Sequence, residues 1–137
     1  MTETTQDSPA ASVQADRSAT VLVVEDDPRV RSVTCSRLAE LGYRVLEASV
    51  AATAIELLGK HPDIDVLFSD LVMPGEMSGL DLAKRARELY PGMHIILTSG
   101  YAAELSHGEE DLGLQVLRKP YSQAALVRVI REALRTS

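Results

Sequence analysis

Short apolar runs of strand-forming residues alternate along this chain with longer stretches whose apolar positions recur at helical spacing. The runs are Val21–Val24, Tyr43–Ala48 (with Val45 and Leu46 at its centre), Val66–Phe68, Met93–Leu97 and Leu114–Leu117. Each is too brief for a buried helix and lacks clean polar alternation, which predicts strands covered on both faces, as in a parallel sheet. The stretches between them carry helix signals. Asp27-Pro28 is an N-cap carboxylate with proline at the first helical position, ahead of Val30, Val33, Leu38 and Leu41 and a terminating Gly42. Ser49 is placed to cap a helix over Val50–Leu58 that Gly59 would close. Ser78 and Asp81 form a capping-box pattern before Leu80, Ala83, Ala86 and Leu89, and Pro91-Gly92 ends that run. Ser122 precedes a last helix with Leu126, Val127, Ile130 and Leu134 inward and Arg128, Arg131 and Arg135 outward.

The order is strand then helix, five times, with the weakest helical material at Tyr101–Gly113. This alternation predicts an α/β fold: a three-layer, doubly wound parallel sheet with helices on both faces and right-handed crossovers. Strand order is not visible in a sequence; the common five-strand solution is the flavodoxin-like order 2-1-3-4-5. Residues 1–19 hold almost no large apolar side chain except Val13 and are expected to be a disordered tail, with the folded domain spanning 20–137.

Composition narrows this only slightly. At 137 residues and 45% hydrophobic the chain suits one globular domain burying about two-thirds of its surface. A net charge of −6 lacks the clustered positive charge of a nucleic-acid footprint. No apolar stretch approaches the ~20 residues of a membrane span, and no secretory signal opens the chain. One cysteine, Cys35, makes neither an internal disulfide nor a zinc site, and His61, His94 and His107 lie on separate elements. A cytoplasmic location is expected.

Chemistry gathers at the carboxyl ends of the predicted strands, where open parallel sheets place their ligands. The first strand delivers Glu25 and Asp26, the third Asp70, the fourth Ser99 and the fifth Lys119. Three carboxylates in one crevice repel by about 3 kcal/mol per pair at ~5 Å and an effective dielectric of ~20. A cation would relieve this, and an all-oxygen site with few protein ligands suits Mg²⁺. A lysine and a hydroxyl beside the metal would bind an anion's oxygens. Together these groups describe phosphoryl transfer with an aspartate as nucleophile.

Four motifs, Val-Val-Glu-Asp-Asp-Pro, Ser-Asp-Leu-Val-Met-Pro-Gly-Glu-Met-Ser-Gly, Leu-Thr-Ser-Gly-Tyr and Arg-Lys-Pro-Tyr, stand in order from about Thr20 to Arg135. In this the chain resembles the receiver domain of bacterial two-component response regulators. The resemblance implies Asp70 as phospho-acceptor and Mg²⁺ held by Glu25, Asp26, Asp70 and the main-chain carbonyl of Val72. It also implies Ser99 as the switch hydroxyl, chosen over Thr98 because Gly100 follows it, and Lys119 as the phosphate-binding cation. A histidine kinase or histidine phosphotransfer protein would be the donor, and the domain would not turn over an external substrate. Two departures stand out: Val116 occupies the place of a Tyr or Phe that rotates inward in many receivers, and the segment after the fourth strand is poor helix material. The Thr-Ser-Gly-Tyr pattern and the extra residue in the Met-Pro-Gly loop lean towards receivers of hybrid kinases, or lone receivers.

Other readings fit less well. An aspartyl-phosphate phosphohydrolase would need a second acid where Val72 stands. A flavin module would want a Ser/Thr/Gly-rich cradle where Glu25-Asp26-Asp27 would repel phosphate. A pseudo-receiver acting only as an interaction module is the remaining alternative. Because no output domain follows the last helix, signal is expected to leave through a partner, through a homodimer, or through phosphate flow.

Overall fold

The computed structural model describes residues 19–100 and 114–135. Five parallel strands, β1 (Thr20–Val24), β2 (Arg44–Ala48), β3 (Val66–Asp70), β4 (His94–Ser99) and β5 (Gln115–Arg118), form one sheet in the order β2-β1-β3-β4-β5. The described helices are α1 (Pro28–Glu40), α2 (Ala51–Lys60), α3 (Gly79–Leu89) and α4 (Gln123–Arg135). This is the flavodoxin-like α/β arrangement expected from the alternation. The predicted tail and the weak Tyr101–Gly113 segment fall outside the described residues, apart from Ala19, whose carbonyl accepts from the Arg44 N–H.

The central strands read as unbroken apolar runs because each sends alternate side chains into two separate cores. Val21 and Val23, Val66 and Phe68, and Ile96 point to the layer of α1 and α4, with Leu38, Leu126, Ile130 and Ala133. Leu22 and Val24, Leu67, Ile95 and Leu97 point to the layer of α2 and α3, with Ala54, Leu58, Leu82, Ala83 and Ala86. The edge strands β2 and β5 are only partly covered, and their apolar pairs (Val45 and Leu46, Val116 and Leu117) divide between the same two cores.

Several local expectations are corrected. The α1 core face runs through Thr34 and Leu38, whereas Val33 is 48% exposed and Val30 half-buried. On α3 the inward residues are Leu82, Ala83 and Ala86, and Leu89 is exposed. Ser49 does not cap α2: its N-cap is Val50, with no side-chain cap, and Gly59 lies within the last turn instead of closing it. An uncapped start and an interior glycine are tolerated because Ala51, Ala54 and Leu58 bury a strong apolar face. On α4, Leu126 and Ile130 are buried and Arg128, Arg131 and Arg135 exposed, as expected; Val129 and Leu134 pack partly against the core, and Val127 is half-buried.

The remaining caps follow the sequence. Asp27 accepts the Arg29 N–H at 2.9 Å ahead of Pro28, and Gly42, at φ 99°, ends the α1 turn with its N–H on Ala39. Ser78 and Asp81 make the reciprocal capping box of α3.

Candidate functional site

β1 and β3 lie at the point where the strand order reverses, so the residues after their carboxyl ends share one crevice. Glu25 leaves β1 with its N–H on the Ala48 carbonyl of β2. Its own carbonyl accepts Arg31 Nη1 at 2.8 Å, while Arg31 Nε reaches Glu47 Oε1 at 2.9 Å. The acidic turn is thus braced from both α1 and β2. Asp70 is the last residue of β3, paired in register with Thr98 of β4, and 7% exposed. Lys119 follows β5 and is fastened by its N–H to the Ser99 carbonyl at 2.8 Å. The Lys119–Pro120 peptide bond is cis.

Glu25, Asp26 and Asp70 each offer a carboxylate oxygen, all within 4.8 Å of one another. Glu25 and Asp70 are buried and Asp26 is exposed. Lys119 Nζ contacts Glu25 Oε1 at 2.6 Å and Asp70 Oδ2 at 3.2 Å. Three carboxylates against one ammonium leave the cluster two negative charges in excess. That deficit, with all-oxygen donors and one side open to solvent, fits a hydrated divalent cation such as Mg²⁺. Ser99 ends β4 in register with Arg118, at the same end of the sheet and 1% exposed. Val72 sits in the loop two residues past Asp70 and is 55% exposed. Cys35 stays outside this chemistry: burial, with a smaller push from Glu47, raises its thiol to about 11, leaving little reactive thiolate at neutral pH.

Electrostatics follow the geometry. Burial, then the Glu25 charge, pushes the Asp70 carboxyl from its ordinary 3.8 to about 6, against the opposing pull of Lys119. For Lys119, burial favours the neutral amine, but the hydrogen bond to Glu25 and the Asp70 charge outweigh it and the net shift is upward. A raised carboxyl pKa makes ionised Asp70 a destabilising group above pH 6, relieved as the native state takes up a proton between about pH 6 and 4. In chelator at pH 7.5, Asp70→Asn should therefore melt roughly 3–5 °C higher than the wild-type protein. The advantage should shrink as pH falls below 6. Thermal scans at pH 7.5 and 5 check this; a constant difference contradicts carboxylate crowding.

The chain matches the response regulator receiver domain family over residues 21–131. It belongs to that family. It is 35% identical over 116 residues to the response regulator receiver protein CpdR of Brucella abortus, covering 83% of this chain and 95% of that protein. It is 36% identical over 120 residues to the sensor kinase CckA of the same organism, covering 85% of this chain but 13% of that protein. Among solved structures, a response regulator receiver domain protein from Clostridium thermocellum superposes with a TM-score of 0.81 at 25% identity, covering 87% of this chain and 96% of the other. The receiver domain therefore accounts for nearly all of one relative and about an eighth of the other. No helix among the described residues is long and apolar enough to cross a membrane.

Three residues that position this site carry no chemistry of their own and escape a reading of strand ends. Arg31 holds the Glu25 carbonyl; Gly79, at the start of α3, packs on the Asp70 backbone; Tyr121 anchors the turn after Lys119. Only Gly79 and Tyr121 left a trace in sequence, as the last residues of the second and fourth motifs.

Proposed function

We propose that this receiver domain accepts a phosphoryl group on Asp70 from a phosphohistidine donor, a histidine kinase or histidine phosphotransfer protein, and so changes its partner contacts. The observation that carries the reading is Lys119 Nζ bridging Glu25 and Asp70 in a cluster still two charges short of neutrality. An Asp70 oxygen attacks phosphorus, the P–N bond to the donor imidazole breaks, and its electron pair returns to the ring nitrogen, which is then protonated. The products are an aspartyl phosphate and a free histidine. Lys119 would pair with the phosphoryl oxygens and the Ser99 hydroxyl would donate to one of them. Glu25, Asp26, Asp70 and the Val72 carbonyl would hold Mg²⁺, which supplies positive charge against the phosphoryl oxygens. Among the described residues a cavity of about 600 Å³ beside Lys119, lined in part by Val30, Val33 and Pro120, offers a place for a donor to approach. The domain is consumed and reset, with no turnover of an external substrate.

The metal set gives the test. Both Glu25 oxygens are already engaged, Oε1 by Lys119 and Oε2 by the Asp27 N–H at 3.2 Å, whereas Asp26 is exposed. Asp26→Ala should weaken Mg²⁺ binding by roughly 10–100-fold, and Glu25→Gln by clearly less. Phosphorylation by acetyl phosphate should vanish in chelator and return with Mg²⁺ or Mn²⁺. Metal titration and labelling of the three proteins decide both points. Equal losses contradict the ranking, and a wild-type protein that never labels favours a pseudo-receiver.

A further inference from the structure

Thr34 lies in the middle of α1 and is 2% exposed. A buried hydroxyl on a core helix face calls for a partner, and here the partner comes from 87 residues away: Thr34 Oγ1 and Tyr121 Oη are 2.6 Å apart. The Tyr121 ring meets Phe68 edge-to-face, with centroids 5.8 Å apart and planes at 82°. Phe68 is two residues before Asp70 on β3, and Tyr121 is two residues after Lys119. Burial pushes the Tyr121 phenol above its ordinary value, so the hydroxyl stays protonated and able to donate. One side chain thus ties the turn carrying Lys119 to both α1 and the strand carrying Asp70. The opposite end of that turn is tied to β4 through the Lys119 N–H on the Ser99 carbonyl.

From this geometry we infer that Thr34 and Tyr121 are positioning residues, a hydroxyl pair that sets where the Lys119 ammonium stands relative to Asp70. The inference rests on the proposed phosphoryl transfer for its consequence, but not for its geometry. Neither hydroxyl touches the carboxylates, so the pair should govern the rate of transfer and not metal affinity. Removing the Tyr121 hydroxyl leaves the buried Thr34 hydroxyl without its partner, removing the Thr34 hydroxyl leaves the half-buried Tyr121 phenol untethered, and either change loosens the turn.

Two measurements on the full chain separate the outcomes. Tyr121→Phe, which keeps the ring against Phe68, and Thr34→Val, which keeps the shape, should each slow acetyl phosphate labelling about tenfold. The double variant should also lose about tenfold, not a hundredfold, because the two hydroxyls act as one unit. Thr34→Ser should restore the rate, and Mg²⁺ affinity should stay within about twofold throughout. Without any phosphoryl chemistry, hydrogen exchange at the Lys119 amide should rise about tenfold in Tyr121→Phe, with no change at Leu22. A pair serving fold stability alone would lower the melting temperature and leave labelling unchanged, which overturns the inference. So does an unchanged Lys119 exchange rate, a failure of Thr34→Ser to rescue, or multiplicative losses in the double variant. A wild-type protein that takes no label defeats the proposed function instead, and the exchange comparison still decides the positioning.

Discussion

Gly79→Ala should unfold the protein at markedly lower temperature, although alanine is the better helix former. Gly79 is the first residue of α3, and its N–H binds the Leu71 carbonyl at 2.9 Å, closing the loop that leaves Asp70. A Cβ there would fall on the Asp70 carbonyl oxygen, far inside contact distance, and 2.8 Å from both the Asp70 carbonyl carbon and the Leu71 Cα. All of these are backbone atoms, so no side-chain rotation relieves the clash. Helix propensity would favour alanine by about 1 kcal/mol, but forcing backbone apart in a filled core costs about 3 kcal/mol or more, so the clash wins. A fall of about 10 °C is expected, together with slower phosphorylation as the end of β3 moves. Gly59 is the control. It lies in the last turn of α2, where an added Cβ would meet nothing within 4 Å, so Gly59→Ala should be neutral or raise stability by about 0.5–1 kcal/mol. If both variants behave alike, close approach is not the reason for glycine at position 79.

The larger effect belongs to Asp70 itself. Glu25 and Asp26 stand within 4.8 Å of it and are chemically similar, so proximity alone does not choose the nucleophile. Their surroundings differ, and in the proposed transfer they favour Asp70. Glu25 spends its oxygens on Lys119 and the Asp27 N–H, and Asp26 is exposed to water. Asp70 combines burial, a side-chain contact to Lys119 at 3.2 Å, and a place on a rigid central strand. Asp70→Asn keeps the shape but replaces a carboxylate with a poor nucleophile, so labelling should fall at least about a thousandfold, to background. The neighbouring acids should not take over.

The sheet was legible because both faces of every central strand are covered, which turns strands into apolar runs that need no alternation to be seen. Strand ends were legible too: Asp70 and Ser99, expected where the third and fourth strands end, are the last residues of β3 and β4. The α1 face departs from its apolar pattern at Val30 and Val33. Thr34 is buried through a hydroxyl 87 residues distant, a tertiary fact with no local signal, and the valines line a cavity instead. Leu89 likewise satisfied the periodicity of α3, but the helix turns Leu82 inward in its place. The meeting of Glu25, Asp26, Asp70 and Lys119 followed from strand-end placement once a strand order was assumed. Arg31 acts on the Glu25 backbone carbonyl and left no mark in residue type, whereas Gly79 was visible only as the last residue of a motif, with nothing local to say that its Cβ would meet the Asp70 backbone.

The most direct test is the intact mass of wild-type and Asp70→Asn protein after incubation with a phosphohistidine donor and Mg²⁺, followed by peptide mapping. The expected result is one phosphoryl group on the wild-type protein, located on Asp70, absent in chelator and absent in the variant. Equal labelling of Asp70→Asn, or a phosphoryl group found on Glu25 or Asp26, would contradict the assignment of Asp70 as the acceptor.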